Sequence, residues 1–278
     1  MPFLVQEPIG AAAPVLVDSP HSGLVLPDEF GTIASLDALR TTWDAFVDEL
    51  WGDAPAHGAT LIAATFPRAF IDVNRREDDL DPALLATPWP TPLEPTDYSR
   101  RGMGLIRRLA LPDVPMYAAP LSVDAVQRRI VTCYRPYRKA VGQRLRELRA
   151  EHDTVFYLDA HSMKSRGNEM NVDAGALRPD VVVSDRRGAT ADPRHTAFVA
   201  AHFRDQGYSV QINDPYQGGD LVRTFGAPAD GVHAIQVEVN RAQYMDEAAF
   251  AKSADFARLR AACAACVQAL ASYAKTLA

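Results

Sequence analysis

The sequence has few cysteines, no excess of basic residues and no long hydrophobic segment, and each of these shortages excludes a class of protein. Three cysteines in 278 residues are too few for a disulfide framework and are odd in number, which favours a reducing cytoplasm. A formal net charge of -6 argues against nucleic acid as the main partner. Residues 1–7 lack the basic and apolar character of a secretory signal, and no run of about 18 apolar residues is present. We therefore expect a cytoplasmic protein without a membrane segment.

Hydrophobic residues make up 47% of the chain and charged residues 23%, as in an ordinary globular protein. This length and composition predict one large domain over residues 1–278 that folds without an obligate protein partner. Apolar segments typical of buried strands alternate with helical patterns, which predicts an α/β fold: a three-layer sandwich around a mixed, mostly parallel sheet. The predicted strands cover residues 13–18, 59–64, 69–73, 154–158, 181–184, 209–212 and 234–239, and the predicted helices cover residues 36–50, 123–149, 191–206 and 246–278.

Two histidines lie just after predicted strands, where α/β folds carry their functional groups. His21 lies in the segment DSPHSG at residues 18–23, and His161 lies in DAHS at residues 159–162. Two histidines and one carboxylate are the protein ligands of many catalytic zinc sites, which keep the fourth position for water. A zinc site therefore requires a third ligand from elsewhere in the chain.

Three acidic residues are candidates for that third ligand: Asp44, Asp48 and Glu29. The alternative for Asp44 and Asp48 is a solvated face of the helix predicted over residues 36–50. Asp18 and Asp159 are better placed to orient an imidazole than to bind the metal. The other histidines are expected on the surface or satisfied in the core, apart from His233, which is ambiguous, and the helical pair Cys263 and Cys266 is expected to be two buried thiols.

Glu238 and Arg75 complete the set of candidate functional residues. Glu238 stands late in an apolar predicted strand, where a carboxylate costs free energy unless it is paired or used, and it could serve as a general base beside a metal. Arg75 offers a planar guanidinium for a substrate carboxylate, although a surface ion pair with residues 77–79 is an equal alternative. GxGxxG, Walker and GxSxG motifs are absent, and Ser19 or Ser22 acting with His21 stays a weaker possibility.

Six segments, taken together and in order, resemble the N-formylglutamate amidohydrolase family over residues 14–250. They are DSPHSG at 18–23, IDVNR at 71–75, DAHSM at 159–163, SDR at 184–186, NDPYQGG at 213–219 and VEVNRAQYM at 237–245. The resemblance implies hydrolysis of N-formyl-L-glutamate to formate and L-glutamate, the last step of one route of histidine degradation. It also implies relationship to the zinc carboxypeptidase superfamily and its phosphorylase/hydrolase-like α/β sandwich.

On this resemblance, each candidate receives an expected role. His21 and His161 correspond to zinc ligands, Glu238 to the general base, and Asn74 and Arg75 to a carboxylate-binding pair. Zinc carboxypeptidases take two ligands from a His-x-x-Glu segment, but Leu24 stands three residues after His21. We therefore expect Asp44, ahead of Asp48, to be the third metal ligand.

The expected partner is a small-molecule N-formyl amino acid rather than a nucleic acid or a membrane. Because N-formylglutamate carries two carboxylates, we expect a second cationic contact besides Arg75, with Arg68, Arg129 and Arg223 as the choices. The alternatives are a deacylase of another N-formyl or N-acyl amino acid and, from a different class, a non-catalytic amino-acid- or metal-binding protein. His21, His161 and Glu238 together argue against the second alternative, because binding alone requires no base beside a metal.

Overall fold

The structure is a computed structural model that describes residues 1–171 and 173–277. The protein contains a seven-stranded mixed β-sheet. Its spatial order is β1-β3-β2-β6-β9-β7-β8. The strands of the protein are β1 (Phe3–Gln6), β2 (Val15–Ser19), β3 (Thr60–Ala64), β4 (Leu109–Leu111), β5 (Val114–Pro115), β6 (Val155–Met163), β7 (Val181–Ser184), β8 (Val210–Ile212), β9 (Val232–Asn240), β10 (Met245–Asp246) and β11 (Ala251–Lys252). Strands β3, β2, β6 and β9 run parallel, whereas β1 and β7 pair antiparallel to their neighbours β3 and β9. The prediction of a mixed, mostly parallel sheet is confirmed.

Helices cover both faces of this sheet. The α-helices are α1 (Leu36–Arg40), α2 (Val47–Leu50), α3 (Asp97–Arg100), α4 (Val123–Arg129), α5 (Arg135–Glu151), α6 (Pro193–Asp205), α7 (Asp220–Phe225) and α8 (Phe256–Ala274). Short 3₁₀ segments cover Asp28–Phe30, Ala54–His57, Pro82–Leu84, Pro228–Asp230 and Arg241–Gln243, and a π-helical turn covers Ile130–Tyr134. No described helix combines the length and the apolar character that crossing a membrane requires.

Side-chain alternation along the central strands separates the core into two layers. In β6, Phe156 and Leu158 pack with residues of α2, α6 and α8, whereas Tyr157 packs with residues of α4, α5 and α7. The strands are buried on both faces, which explains why their sequences are nearly continuous apolar runs. The predicted α/β sandwich is therefore confirmed.

Three predicted segments differ from the structure. Residues 69–73 form a buried turn instead of a strand, because Asp72 N–H donates to the carbonyl of Leu105 (2.8 Å) rather than to a neighbouring strand. The helix predicted from residue 246 begins at Phe256, after the hairpin of β10 and β11. The helix predicted over residues 36–50 is interrupted between α1 and α2.

The pattern over residues 123–149 is confirmed as helical, in two parts. Helix α4 is followed by the π-helical turn and then by α5. Pro136 lies in the first turn of α5, directly after the π-helical turn, in which Arg135 N–H donates to the carbonyl of Ile130.

Candidate active site

The candidate site lies at the carboxyl ends of β2, β6 and β9, three adjacent parallel strands at the centre of the sheet. His21 follows the last residue of β2 by two positions, and His161 and Glu238 lie near the ends of β6 and β9. His161 and Glu238 are register partners, so the two side chains belong to neighbouring positions of the sheet. The sequence positions 21, 161 and 238 meet because parallel strands end at the same edge.

The interruption of the predicted helix 36–50 brings Asp44 into this site. Asp44 N–H donates to the carbonyl of His21 (3.1 Å), and the Tyr244 hydroxyl donates to the carbonyl of Ala45 (2.8 Å). These contacts satisfy backbone groups that a continuous helix would pair internally, so the turn between α1 and α2 is stable. Asp44 is only 1% exposed instead of lying on a solvated helix face.

His21, His161 and Asp44 form a compact cluster of possible metal ligands. The two Nδ1 atoms lie 3.1 Å apart, and Asp44 Oδ2 lies 3.0 Å from Nδ1 of His161 and 3.6 Å from Nδ1 of His21. One donor atom from each residue lies within 4.8 Å of the other two. Asp48 and Glu29 are not part of this cluster: Asp48 lies on α2, and Glu29 is exposed.

Carboxylates hold the far nitrogen of each imidazole. His21 Nε2 lies 2.7 Å from Asp72 Oδ1, and His161 Nε2 lies 2.8 Å from Asp159 Oδ1. The Asn74 amide donates to Asp159 Oδ2 (3.1 Å) and lies 2.9 Å from His161 Nε2. A carboxylate on the far nitrogen fixes the orientation of a metal-binding imidazole and increases its basicity.

Asp18 does not join this arrangement as the sequence analysis expected. Its Oδ2 accepts a hydrogen bond from the Tyr137 hydroxyl (2.7 Å), and burial, with Asp159 nearby, raises its pKa well above the usual value. Asp72, which belongs to the wrongly predicted strand 69–73, takes the orienting position beside His21 instead.

The chemistry of the cluster fits a divalent cation. Asp72 can only accept, so the hydrogen of a neutral His21 lies on Nε2, and the Nδ1 lone pair points at His161 and Asp44. Within residues 1–171 and 173–277, Asp159 Oδ1 is a buried oxygen without a hydrogen-bond donor. If His161 bound a cation through Nδ1, its hydrogen would lie on Nε2 beside that oxygen. The group can therefore hold a metal ion.

The electrostatics of the cluster also favour positive charge. Burial opposes protonation of His161, but Asp159 and Asp44 raise its pKa well above the usual value. Burial opposes ionisation of Asp72, but Arg68 and His21 hold its pKa well below the usual value. Arg68 donates to Asp72 Oδ2 at 2.7 Å, so Asp72 is shared between an arginine and an imidazole.

Glu238 lies in the same cavity as the two histidines and has the properties of a general base. It is 9% exposed, and the Gln236 amide donates to its Oε1 (3.0 Å). Burial and the nearby Asp44 raise the pKa of Glu238, His161 and Arg68 oppose the rise, and the net result is a pKa of about 7. A carboxylate with a pKa near neutral can both accept and return a proton at physiological pH.

Two adjoining cavities make room for a small molecule. One, of about 150 Å³, is lined by His21, His161, Glu238 and Arg75, and the other, of about 100 Å³, is lined by Asp44 and Arg241. Their common wall consists of Arg68, Met103, Arg107, Ser162, Asn171 and Tyr216. Polar and basic side chains dominate this wall, and its two arginines can bind carboxylates.

Arg75 lines the larger cavity and is not engaged in the surface ion pair that was its alternative. Its guanidinium donates to the carbonyls of Met103 (3.2 Å) and Asn74 (3.1 Å) and lies 4.5 Å from the ring centroid of Tyr98. The acidic residues that follow it have other partners: Glu77 binds Arg135, Asp78 binds Arg76, and Asp79 binds Thr96 and Ser99.

Gly219 allows the 213–219 loop to approach Asn74. A Cβ atom at Gly219 would lie 2.3 Å from Asn74 Oδ1, which no side chain could tolerate. Gly219 N–H donates to Gln236 Oε1 (2.7 Å), and Leu221 N–H donates to Asn74 Oδ1 (2.7 Å). These bonds position Asn74 beside the cluster.

The SDR segment at residues 184–186 supports the same loop. The Ser184 hydroxyl donates to the carbonyl of Tyr216 (2.7 Å), and the Arg186 guanidinium donates to the carbonyl of Gly218 (2.9 Å). The segments at 184–186 and 213–219 are therefore joined by side-chain-to-backbone hydrogen bonds that shape the cavity wall.

Of the three arginines expected to supply a second cation, Arg68 lines the cavities. Arg129 is buried outside both cavities and donates to the carbonyls of Phe30 and Phe70. Arg223 lies on α7 and pairs with Asp220 (2.6 Å), outside both cavities.

The serine alternative and the remaining candidates lie apart from the cluster. The hydroxyls of Ser19 and Ser22 bond to each other at 2.8 Å, while the His21 ring contacts His161, Asp44 and Asp72. His195 and His233 pack together at the amino end of β9, opposite the site, with ring centroids 4.3 Å apart. Cys263 and Cys266 are free, buried thiols of α8.

Three residues of the site were not predicted from the sequence: Asp72 as an orienting carboxylate, Arg107 in the cavity wall, and Arg241, which donates to Asp44 Oδ1 (3.1 Å). Asp72 and Arg241 lie within two of the six recognised segments, and their positions there were the available signal. Arg107 has no such signal, because it follows a proline-rich region without a recognisable pattern.

Comparisons with known proteins agree with this geometry. The model of the family described as N-formylglutamate amidohydrolase matches residues 13–245. The chain is 31% identical over 250 residues to an N-formylglutamate deformylase from Pseudomonas aeruginosa, covering 88% of this chain and 87% of that protein. It is 30% identical over 241 residues to an N-formylglutamate deformylase from Pseudomonas putida, covering 84% and 82% of the two chains.

Solved structures show the same relationship. A crystal structure of N-formylglutamate amidohydrolase from Ralstonia eutropha JMP134 superposes with a TM-score of 0.95 at 38% identity, covering 100% of this chain and 99% of the other. A protein from Agrobacterium tumefaciens shares the fold, with a TM-score of 0.67 at 19% identity, covering 99% and 94% of the two chains. The chain belongs to the N-formylglutamate amidohydrolase family and is a hydrolase that acts on an amide bond.

Proposed function

We propose that this protein hydrolyses the formamide bond of N-formyl-L-glutamate to formate and L-glutamate, using one zinc ion held by His21, Asp44 and His161. One observation carries the proposal: these three residues and Glu238 meet at one end of the sheet beside a cavity that also contains Arg75. The names of the Pseudomonas relatives support the choice of substrate. The family resemblance supports a place in histidine degradation.

Glu238 moves the proton in this reaction. Zinc, when bound, supplies a Lewis acid that lowers the pKa of water toward ~7. Glu238 accepts a proton from the water whose oxygen attacks the formyl carbon, and it returns that proton to the departing nitrogen. A C–O bond forms and the C–N bond breaks, so the products are formate and the free amine of glutamate.

Arg75 and Asn74 hold one carboxylate end of the substrate in this proposal. The Asn74 carbonyl and the Met103 carbonyl orient the Arg75 guanidinium from behind. A guanidinium fixed in this way can bind a carboxylate through two parallel hydrogen bonds. The substrate is thereby aligned with Glu238 before the reaction begins.

A substrate panel tests the proposed function. Formate or acetate release is measured for N-formyl-L-glutamate, N-formyl-L-aspartate and N-acetyl-L-glutamate with the zinc-loaded protein. We expect the highest kcat/KM with N-formyl-L-glutamate. A higher kcat/KM with either of the other compounds would move the assignment to a different deacylase, and no release from any of them would overturn the proposed function.

A further inference from the structure

Arg107 is a buried arginine in the wall shared by the two cavities, and among the described residues no carboxylate forms an ion pair or a hydrogen bond with it. Its residue is 8% exposed, and its Nε atom has no hydrogen-bond partner within the described residues. Burial and the nearby Arg68 lower the pKa of Arg107, and Asp72 and Asp44 oppose this effect only in part. The resulting pKa of about 9 leaves the group charged at neutral pH. A buried cation without a partner is costly unless an anion joins it.

The neighbouring arginines have carboxylate partners, which distinguishes Arg107 from them. Arg68 donates to Asp72 (2.7 Å), and Arg241 donates to Asp44 (3.1 Å). Arg178 binds Asp173 through two hydrogen bonds of 2.6 and 2.7 Å. Arg75 resembles Arg107, because among the described residues its guanidinium contacts backbone carbonyls and an aromatic ring rather than a carboxylate.

We propose that Arg107 binds the second carboxylate of the substrate, so that Arg75 and Arg107 together select N-formyl amino acids with two carboxylates. Both guanidinium groups face the 150 Å³ cavity that contains His21, His161 and Glu238. A substrate with one carboxylate leaves one of the two cations unneutralised, and this difference is the basis of the selectivity. The inference rests on the proposed function, since it names the residue that recognises the acidic substrate.

The test removes each arginine by substitution and each substrate carboxylate by conversion to an amide, and compares the effects. The variants Arg107→Met and Arg75→Met are assayed with N-formyl-L-glutamate, N-formyl-L-glutamine and N-formyl-L-isoglutamine, in which one carboxylate or the other is an amide. We expect Arg107→Met to lower kcat/KM for N-formyl-L-glutamate by about 100-fold, the size typical of losing a buried charged partner. We expect almost no loss with one of the two amides, and the Arg75→Met loss should disappear with the other amide.

Arg178→Met is the matched control, because Arg178 also lines a cavity but has its own carboxylate partner. Its effect should be the same factor for all three substrates. An equal loss for all three substrates in Arg107→Met would overturn the proposal, and so would Arg75 and Arg107 effects that vanish with the same amide.

A binding measurement separates this inference from the proposed function, because it requires no turnover. Glutarate, a simple dicarboxylate, should raise the melting temperature of the zinc-loaded wild-type protein and raise that of Arg107→Met much less. The variant without ligand should be at least as stable as the wild type, since it loses an unpaired buried charge. Equal stabilisation of both proteins by glutarate would contradict the role of Arg107 even if the deformylase activity is confirmed.

Discussion

At the residue scale, the site depends on the placement of buried charges. In His21 and His161, the Nε2 atom lies beside a carboxylate, and the Nδ1 atom faces the other proposed metal ligands. Asp72 is itself held ionised by Arg68, against the effect of burial on its pKa. The basicity of His21 therefore depends on a residue that does not belong to the proposed metal ligands.

Replacing Asp72 tests this dependence. Asp72→Asn preserves the shape of the side chain but removes its charge, so we expect zinc affinity to fall by about 10- to 100-fold. Asp18→Asn is the matched control, since Asp18 is equally buried but bonds to Tyr137 instead of an imidazole. Zinc affinity is measured by competition with a chelator, and an equal loss in the two variants would contradict an orienting role for Asp72.

Glu238 is the residue on which the proposed proton transfer depends. Glu238→Gln should lower kcat by about two to four orders of magnitude, because general acid–base catalysis contributes that much. Its zinc content should stay near that of the wild type, since Glu238 is not one of the proposed ligands. Formate release and metal analysis of the same preparation check both expectations, and full activity in the variant would eliminate Glu238 as the base.

At the element scale, the sequence pattern predicts six of the seven strands of the sheet but misses β1, and it predicts the connecting turns poorly. Strands β2, β3, β6 and β9 are rich in apolar residues and are buried on both faces, which explains why they are easy to identify. The turn between α1 and α2 could not be predicted, because its apolar spacing is helical. Partners distant in sequence, such as Tyr244, stabilise the turn instead.

His195 of helix α6, at the end of the sheet opposite the site, should make the free energy of unfolding depend on pH. Burial lowers the pKa of His195 to about 4, and both of its ring nitrogens lack hydrogen-bond partners in the described part of the chain. The unfolded chain protonates this histidine at about pH 6.5. The free energy of unfolding should therefore fall between about pH 6.5 and pH 4, by up to about 1.4 kcal/mol per pH unit from this group.

The variant His195→Leu isolates that contribution. Urea unfolding is measured for both proteins from pH 8 down to pH 4.5, and the difference between them removes the effect of other titrating groups. We expect the variant to gain stability relative to the wild type as the pH falls. A difference that does not change with pH would show that His195 has the same pKa in the folded and the unfolded protein, and would contradict this prediction.

At the scale of the whole molecule, the fold collects residues from positions 21 to 241 at one end of one sheet. The sequence identified His21, His161 and Glu238 because each follows or ends an apolar strand. The expectation of Asp44 ahead of Asp48 and Glu29 had no structural basis at that point, because the choice depends on how the chain turns after α1. Arg107 was missed because an unpaired charge is recognised only when the partners of its neighbours are known.

The most direct test of the account is formate release from N-formyl-L-glutamate by protein stripped with a chelator and then titrated with zinc. We predict that activity is lost on stripping and returns to a plateau at one zinc ion per chain. Binding of zinc to the folded protein should raise the melting temperature over the same titration. Full activity in the stripped protein would contradict the metal-dependent mechanism built on His21, Asp44 and His161.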